Sequence, residues 1–201
     1  NGGGKADFVN ALSGLLDFIP NPDPTALFAN PFADSCELVS LERAARLIQE
    51  ERENDESEYV EGGVDIGRTG RVFIAESICG KIKKNAPLPE EAKKIEAYPA
   101  IKLCGIEKIL DRGLKYMSTG EIRRTLLARA LISGKKLLVL SDPFAGLDIE
   151  SRTILLEFIN TIQKKQETNV ILAMERWHEI PDAITHVLEF KDKQISFCGC
   201  R

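Results

Sequence analysis

The first residues of the chain have the types and spacing that a phosphate group requires. They read Asn1-Gly2-Gly3-Gly4-Lys5-Ala6-Asp7 and lead into a segment with helical periodicity. A phosphate-binding loop needs glycines so that backbone N–H groups can converge on one anion, a lysine that reaches the outer phosphates, and a hydroxyl that holds magnesium. The glycines and Lys5 meet the first two needs, and the N-terminus of the following helix would favour the anion. A glycine-rich turn before a helix is also common without a ligand, so both interpretations stay open at this point.

A second set of polar residues lies in the second half of the chain, around a predicted helix and a predicted buried strand. Ser118-Thr119-Gly120-Glu121 opens the helix, and Ser118 is a suitable N-cap. The apolar run 137–140 leads to Ser141-Asp142, and Ala145-Gly146-Leu147-Asp148 follows. Each piece alone has an ordinary structural explanation, as a capped helix or as a strand before a turn.

In this order and spacing, the segments together resemble the ATP-binding-cassette (ABC) family. Ser118, Thr119, Gly120 and Glu121 are similar to its signature motif, the strand ending in Ser141-Asp142 to its Walker B motif, and Gly146, Leu147 and Asp148 to its D-loop. The run 1–7 then resembles the end of the Walker A phosphate loop. The resemblance implies that the chain binds ATP and Mg²⁺ as cofactors.

Several details are similar to one group, the ModF-type proteins, which are usually soluble tandem-cassette ATPases of molybdate-transport operons. The similarity is to their first cassette and covers essentially the whole chain. It is carried by Tyr-x-Ser-Thr-Gly-Glu at 116–121, Asp-Pro-Phe-x-Gly-Leu-Asp at 142–148, Glu-Ile-Pro at 179–181, and the segments 39–42 and 65–69. The resemblance implies that the chain starts inside Walker A and lacks the preceding strand and the aromatic residue that stacks on adenine.

The chain departs from the family pattern at the positions closest to the chemistry. Ala6 and Ser141 stand where the resemblance places the two magnesium ligands. Asp142 occupies the position of the catalytic glutamate, on a shorter side chain. Glu175 replaces the switch histidine, and the Q-loop glutamine would fall near Leu41 and Glu42. Asp142 and Asp7 are the carboxylates left that could hold the metal.

These residues need a sheet and helices to position them, and the sequence predicts both. Alternating apolar strands and amphipathic helices predict an α/β fold: a P-loop NTPase-like parallel sheet with flanking helices and an inserted helical subdomain. We predict one domain over 1–201, with the helical subdomain at about 42–114. The predicted helices are 6–16, 42–61, 72–82, 87–97, 106–110, 118–132 and 148–163, and the predicted strands are 37–41, 136–141, 169–174, 187–190 and 194–198.

Composition limits the classes of function. The net charge of −4 argues against nucleic acid as a partner, because phosphate backbones require a basic surface. No apolar run approaches the roughly 20 residues of a membrane span, so we expect no direct membrane insertion. The 5 cysteines are mostly scattered and odd in number, which predicts a reducing compartment, either the cytoplasm or an organelle matrix.

Three functions fit these observations. The leading hypothesis is a cassette that binds ATP, pairs with a second cassette on the same chain or on another copy, and hydrolyses ATP weakly. A membrane transporter subunit is a further candidate partner. The alternatives are a non-catalytic regulatory cassette and a protein-interaction module that no longer binds nucleotide.

Overall fold

The computed structural model describes residues 4–16, 32, 35–57, 63–83, 86–145, 147, 149–165, 168–176 and 180–201. The chain divides into two compact units. The first comprises Asn1–Leu38, Lys135–Pro143 and Leu156–Arg201, and the second comprises Val39–Gly134 and Phe144–Leu155. The predicted single domain with a helical subdomain stays a prediction. The second unit is wider than that predicted subdomain.

The described elements alternate between helices and strands, with one long helical stretch between β1 and β2. The helices are α1 Lys5–Leu12, α2 Leu41–Glu53, α3 Gly70–Cys79, α4 Glu90–Lys93, α5 Pro99–Leu103, α6 Thr119–Ile132 and α7 Ile149–Lys165. The strands are β1 Cys36–Val39, β2 Leu137–Ser141, β3 Asn169–Ala173, β4 His186–Lys191 and β5 Gln194–Cys200. Short 3₁₀ turns cover Ile95–Ala97, Glu107–Ile109 and Leu114–Tyr116.

A small sheet forms the centre of the first unit. Its strand order is β1-β2-β3, and β2 pairs with β3 in parallel, with Ser141 opposite Ala173 at their carboxyl ends. Strand β2 is buried almost throughout, because both faces of a parallel sheet are covered. Its core joins Val9 of α1 to residues of the three strands, namely Leu38, Leu137, Val139 and Ala173. This sheet confirms the predicted α/β fold with a parallel sheet.

Strands β4 and β5 form a separate antiparallel pair in the same unit. The pair extends from His186–Cys200 to Lys191–Gln194, which is longer than the sequence predicts. Asp192 and Lys193 form its turn with φ of 49° and 63°, the left-handed conformation that two-residue hairpin turns need. Phe190 of β4 packs against Phe8 of α1, with ring centroids 5.4 Å apart. Helix α1 is therefore anchored to this hairpin.

The second unit is helical and built around α6. Helices α2, α3 and α5 contact α6. The largest fully buried side chains of this unit are aliphatic: Leu47, Ile74, Ile95, Ile101, Ile106, Leu110, Leu114, Ile122 and Leu155. A buried core of this kind fixes α6, and with it the residues at its N-terminus.

A buried ion cluster holds the turn that leads into α6. The side chain of Lys115 is only 3% exposed, and its Nζ lies 2.9 Å from Asp55 Oδ1 and 3.8 Å from Asp65 Oδ2. Burial alone would lower the pKa of Lys115, but the two carboxylates outweigh it and the pKa is raised. Asp65 also accepts hydrogen bonds from the amides of Glu56 and Gly67, so the cluster ties three segments together.

Several helices differ from the sequence-based prediction, and three of these differences have a clear local reason. Helix α1 ends at Leu12 rather than at 16, because Ser13 donates to the Asn10 carbonyl and Gly14 turns the chain with φ of 74°. Helix α2 ends at Glu53 rather than at 61, and the Asn54 side chain satisfies the Glu50 carbonyl there. The segment 87–97 is two short helices rather than one, because α4 starts only after Pro89 and a turn at Lys94 follows it.

Other observations concern membrane spans and thiols. Within the described parts of the chain, no helix is both long enough and apolar enough to cross a membrane. All five cysteines are free thiols. Burial raises the pKa of Cys104 to about 12, so this thiol is a core residue.

Candidate functional site

The N-terminus of α1 is open and rests on a glycine. Gly4 precedes the helix with φ of 86° and offers no side-chain cap, so the first N–H groups of this eight-residue helix receive no hydrogen bond from a capping side chain. A Cβ on Gly4 would lie 3.4 Å from the backbone of Lys193, besides being strained by the left-handed backbone. The local geometry therefore suits the predicted phosphate loop. Asn1, Gly2 and Gly3 lie outside the described residues.

Lys5 and Glu175 approach each other at this helix start. Lys5 Nζ lies 4.0 Å from Glu175 Oε1, and both side chains reach solvent, with 32% and 65% exposure. Glu175 follows β3, so the structure brings the predicted switch position close to the predicted phosphate lysine. The Glu175 carboxylate therefore lies where an anionic ligand of Lys5 could also bind.

The chain turns sharply where β2 ends. Asp142 has φ of 46°, a conformation that costs energy for most residues but that Asp and Asn tolerate best. Its amide donates to the Ala173 carbonyl at 2.9 Å, which continues the pairing with β3 by one residue. Sequence reasoning located Asp142 but missed this turn, for which only the following Pro143 gave a signal.

The side chains available for a metal are few. Ala6 has no donor atom, while Ser141 and Asp142 supply a hydroxyl and a carboxylate at the end of β2. Asp7 is exposed in the first turn of α1. Within the residues that the structure describes, no three His, Cys, Asp or Glu side chains are grouped so that they could hold a metal ion. Mg²⁺ often takes one or two carboxylates and completes its shell with phosphate oxygens and water, and this donor set fits that pattern alone.

A reciprocal hydrogen-bond box closes the N-terminus of α6. The Ser118 hydroxyl accepts a bond from the Glu121 amide at 3.3 Å, and the Ser118 amide donates to Glu121 Oε2 at 2.8 Å. The same hydroxyl donates to Glu121 Oε2 at 3.0 Å. Arg112 Nη1 donates to Glu121 Oε1 at 2.8 Å, so both carboxylate oxygens have partners. The predicted N-cap serine is in place, and this box fixes its rotamer.

The Glu121 carboxylate is stabilised in its charged form. Its pKa is lowered below the ordinary range, first by the bond from the Ser118 amide and then by the Ser118 hydroxyl and the Arg112 guanidinium. Glu121 therefore carries a full negative charge at the start of α6 at neutral pH. Thr119 and Gly120 form the first turn beside it, and both are exposed.

Two arginines hold the turn after β2 within the second unit. Arg123 of α6 donates from Nη1 to the Ala145 carbonyl at 2.9 Å, and the Arg152 guanidinium lies 4.8 Å from the centre of the Phe144 ring. The Leu147 amide donates to the Phe144 carbonyl at 3.3 Å. Gly146 and Asp148, the other predicted D-loop residues, lie outside the described residues. Neither arginine was singled out from the sequence.

A comparison with known protein families agrees with this arrangement. The model of the ABC transporter family matches residues 1–145, which is most of the chain. The chain belongs to the ABC transporter family. The matched region includes the α1 start, the N-terminus of α6 and the end of β2.

An individual relative of this cassette supports the same assignment. The chain is 32% identical over its full 201 residues to the ABC transporter ATP-binding protein ModF of Escherichia coli, and it spans 37% of that protein's length. The similarity to the ModF-type group that the sequence suggests is thereby confirmed.

Solved structures show the same fold. A bacterial ABC transporter cassette in a dimeric form superposes with a TM-score of 0.66 at 14% identity and is covered over 82% of its chain. The same cassette in a post-hydrolysis dimer bound to ADP and Pi superposes with a TM-score of 0.65 at 13% identity and is covered over 81%. At such identities the likeness establishes the fold of this cassette and nothing finer.

We expect Ser118→Ala to lower the stability of the cassette by about 1 kcal/mol, because the α6 box loses the acceptor for the Glu121 amide. Urea unfolding followed by circular dichroism measures this change. Ser133→Ala at the other end of α6 is the matched control and should cost less, since the Ser133 hydroxyl donates to the Ala130 carbonyl and is not part of the N-terminal box. Equal costs for the two variants would contradict the box as the anchor of the helix start.

Proposed function

We propose that this cassette binds ATP at the N-terminus of α1 and pairs with a second cassette, to which it presents the N-terminus of α6. The observation that supports the nucleotide site is the uncapped α1 start, with left-handed Gly4 and with Lys5 beside it, in a chain of the ABC family. The amides of the first turn and the helix dipole favour a phosphate there. Lys5 would add a point charge to the outer phosphates.

The same site supports a weak hydrolase rather than a strong one. Magnesium, when bound, would supply charge neutralisation at the phosphates, and Asp142 with Ser141 or Asp7 would hold it. Asp142 is also the candidate general base, on an arm shorter than the family's glutamate. Catalysis is sensitive to displacements on the order of 1 Å, so this shortening alone would slow hydrolysis. Glu175 in place of the switch histidine adds a negative charge near Lys5.

The second cassette would complete the reaction from outside. The family resemblance gives the signature residues Ser118, Thr119, Gly120 and Glu121 a role in trans, on nucleotide held by the partner, with the D-loop beside them. The partner would be a second cassette on the same polypeptide or another copy of the chain, working in the cytoplasm. The chain spans about a third of ModF, so the activity of the whole protein and any transporter subunit belong to this proposal.

Replacing Lys5 by Ala should weaken ATP binding by roughly tenfold or more, because a charge-assisted contact to phosphate is lost. Equilibrium dialysis with labelled ATP measures the dissociation constant. Lys136→Ala, an exposed lysine of the same unit, is the control and should bind as the parent chain does. Unchanged affinity in the Lys5 variant would remove the assignment, and no saturable binding by the parent chain would favour the nucleotide-free interaction module.

Gly120→Asp should abolish ATP-driven association of the cassettes while the chain stays folded. A Cβ on Gly120 meets no heavy atom within 4 Å, so the fold accommodates the side chain, while its charge would repel an incoming phosphate. Static light scattering with and without ATP measures association, and circular dichroism measures folding. Asn160→Asp adds the same charge on the exposed side of α7 as a control. Intact association in the Gly120 variant would leave α6 as a capped helix with no interface role.

The Asp142→Asn variant distinguishes a cassette that hydrolyses ATP from a non-catalytic regulatory cassette. Asn tolerates the left-handed backbone at this position, so the variant removes the charge and keeps the turn. If Asp142 is the base, ATP turnover should fall by about a hundredfold or more, while ATP binding changes less. Phosphate release under saturating ATP and Mg²⁺ is the measurement. Turnover that persists in the variant would favour a non-catalytic cassette with a contaminating activity.

A further inference from the structure

The box at the start of α6 places a negative charge where the proposed function needs an anion to bind. Glu121 Oε2 accepts bonds from both the amide and the hydroxyl of Ser118, at 2.8 Å and 3.0 Å. The side chain of Glu121 is 20% exposed, so water screens its charge only in part. A terminal phosphate that approached Ser118 would meet this carboxylate at close range, and the two like charges would repel.

Arg112 offsets that charge from the other side. Its Nη1 lies 2.8 Å from Glu121 Oε1, while the Ser118 bonds go to the other oxygen. The guanidinium is 46% exposed, so it can face an incoming ligand and solvent. An ion pair of this geometry has no net charge, so the positive end of the α6 helix dipole then dominates the local field.

The backbone of Arg112 is fixed independently of its side chain. Its carbonyl accepts a bond from the Gly70 amide at 3.2 Å, and its own amide donates to the Ile109 carbonyl at 3.0 Å. The Arg112 side chain therefore starts from a hydrogen-bonded backbone, and its bond to Glu121 is not needed to hold that backbone in place. Removing the side chain beyond Cβ leaves these backbone bonds in place, which makes Arg112 suitable for mutation.

We infer that Arg112 is a positioning residue of the signature: it neutralises and orients Glu121, so that Ser118 and the free amides of α6 can receive the terminal phosphate of a nucleotide held by the second cassette. The inference rests on the proposed function, in which α6 acts in trans. It assigns no contact between Arg112 and the nucleotide. The guanidinium acts through Glu121 alone, so its effect should depend on the charge of Glu121, and an experiment can test this dependence.

A double-mutant cycle tests this role, with ATP as the ligand. The variants are Arg112→Ala, Glu121→Gln, both together, and Arg112→Lys, which keeps the charge. The measurement is the ATP concentration at half-maximal association, from light scattering at low and at physiological salt. The thermal midpoint of each variant is recorded as well. Arg43→Ala is the matched control, because Arg43 forms a comparable surface pair with Glu50 at 3.0 Å in the same unit.

We expect Arg112→Ala to raise the required ATP concentration about tenfold at low salt, since it exposes an uncompensated carboxylate to the phosphate. The effect should shrink at higher salt, should be largely absent when Glu121 is already Gln, and should be mostly restored by Arg112→Lys. Arg43→Ala should need the same ATP concentration as the parent chain.

Two results would overturn the inference alone. One is that Arg112→Ala raises the required ATP concentration equally in the parent chain and in the Glu121→Gln variant. That result would mean that Arg112 contacts the nucleotide directly. The other is that association weakens in proportion to a fall in the thermal midpoint, and that Arg43→Ala shows the same change. That result would mean that the variants act through stability. A parent chain that does not associate with ATP at all overturns the proposed function, and this inference with it.

Discussion

The first N–H groups of a helix have no partner inside the helix, and α1 and α6 meet this constraint in opposite ways. At α6 the side chains of Ser118 and Glu121 accept bonds from each other's backbone amides, so two amides of the helix start are satisfied from within the chain. At α1 a left-handed glycine precedes the helix and no side chain caps it. A capped start is stable alone, whereas an uncapped one gains stability from an external acceptor. The candidate binding site follows from this difference, since an anion at α1 would supply the missing acceptor.

The sheet explains why the remaining candidate residues lie near α1. Parallel strands end on the same edge, so Ser141 at the end of β2, Asp142 after it and Glu175 after β3 lie at one side of the first unit. The 4.0 Å approach of Lys5 to Glu175 shows that α1 begins at this edge. An acidic group beside the lysine gives Lys5 a partner within the chain, which a nucleotide would have to displace. Glu175, which the resemblance places at the switch position, therefore lies beside Lys5 itself.

The sequence predicted most of the scaffold and supplied the candidate site residues, which stay a prediction, but it did not predict the contacts that hold them. Strands β2 and β3 have apolar runs that leave little ambiguity, and Ser118 had the residue type and position of an N-cap. The ends of α1 and α2 were missed because Ser13 and Asn54 stop a helix by side-chain bonds to its carbonyls, which amphipathic periodicity does not encode. Arg112 and Arg123 were missed because their partners, Glu121 and the Ala145 carbonyl, come close only after folding.

Glycine at position 120 is the feature of α6 that the fold does not explain. Gly113 has an internal reason, since a Cβ there would collide with the Ile66 carbonyl. At Gly120 a Cβ would meet no heavy atom within 4 Å, and the φ of this residue is not in the left-handed region. Glycine costs up to about 1 kcal/mol relative to alanine in a helix interior, and the surroundings of Gly120, in the first turn of α6, show no close contact that requires it. A missing side chain in the first turn of a helix allows another molecule to approach the backbone amides closely. The proposed approach of a nucleotide to the start of α6 would account for glycine at this position, which the box of Ser118 and Glu121 alone would not require.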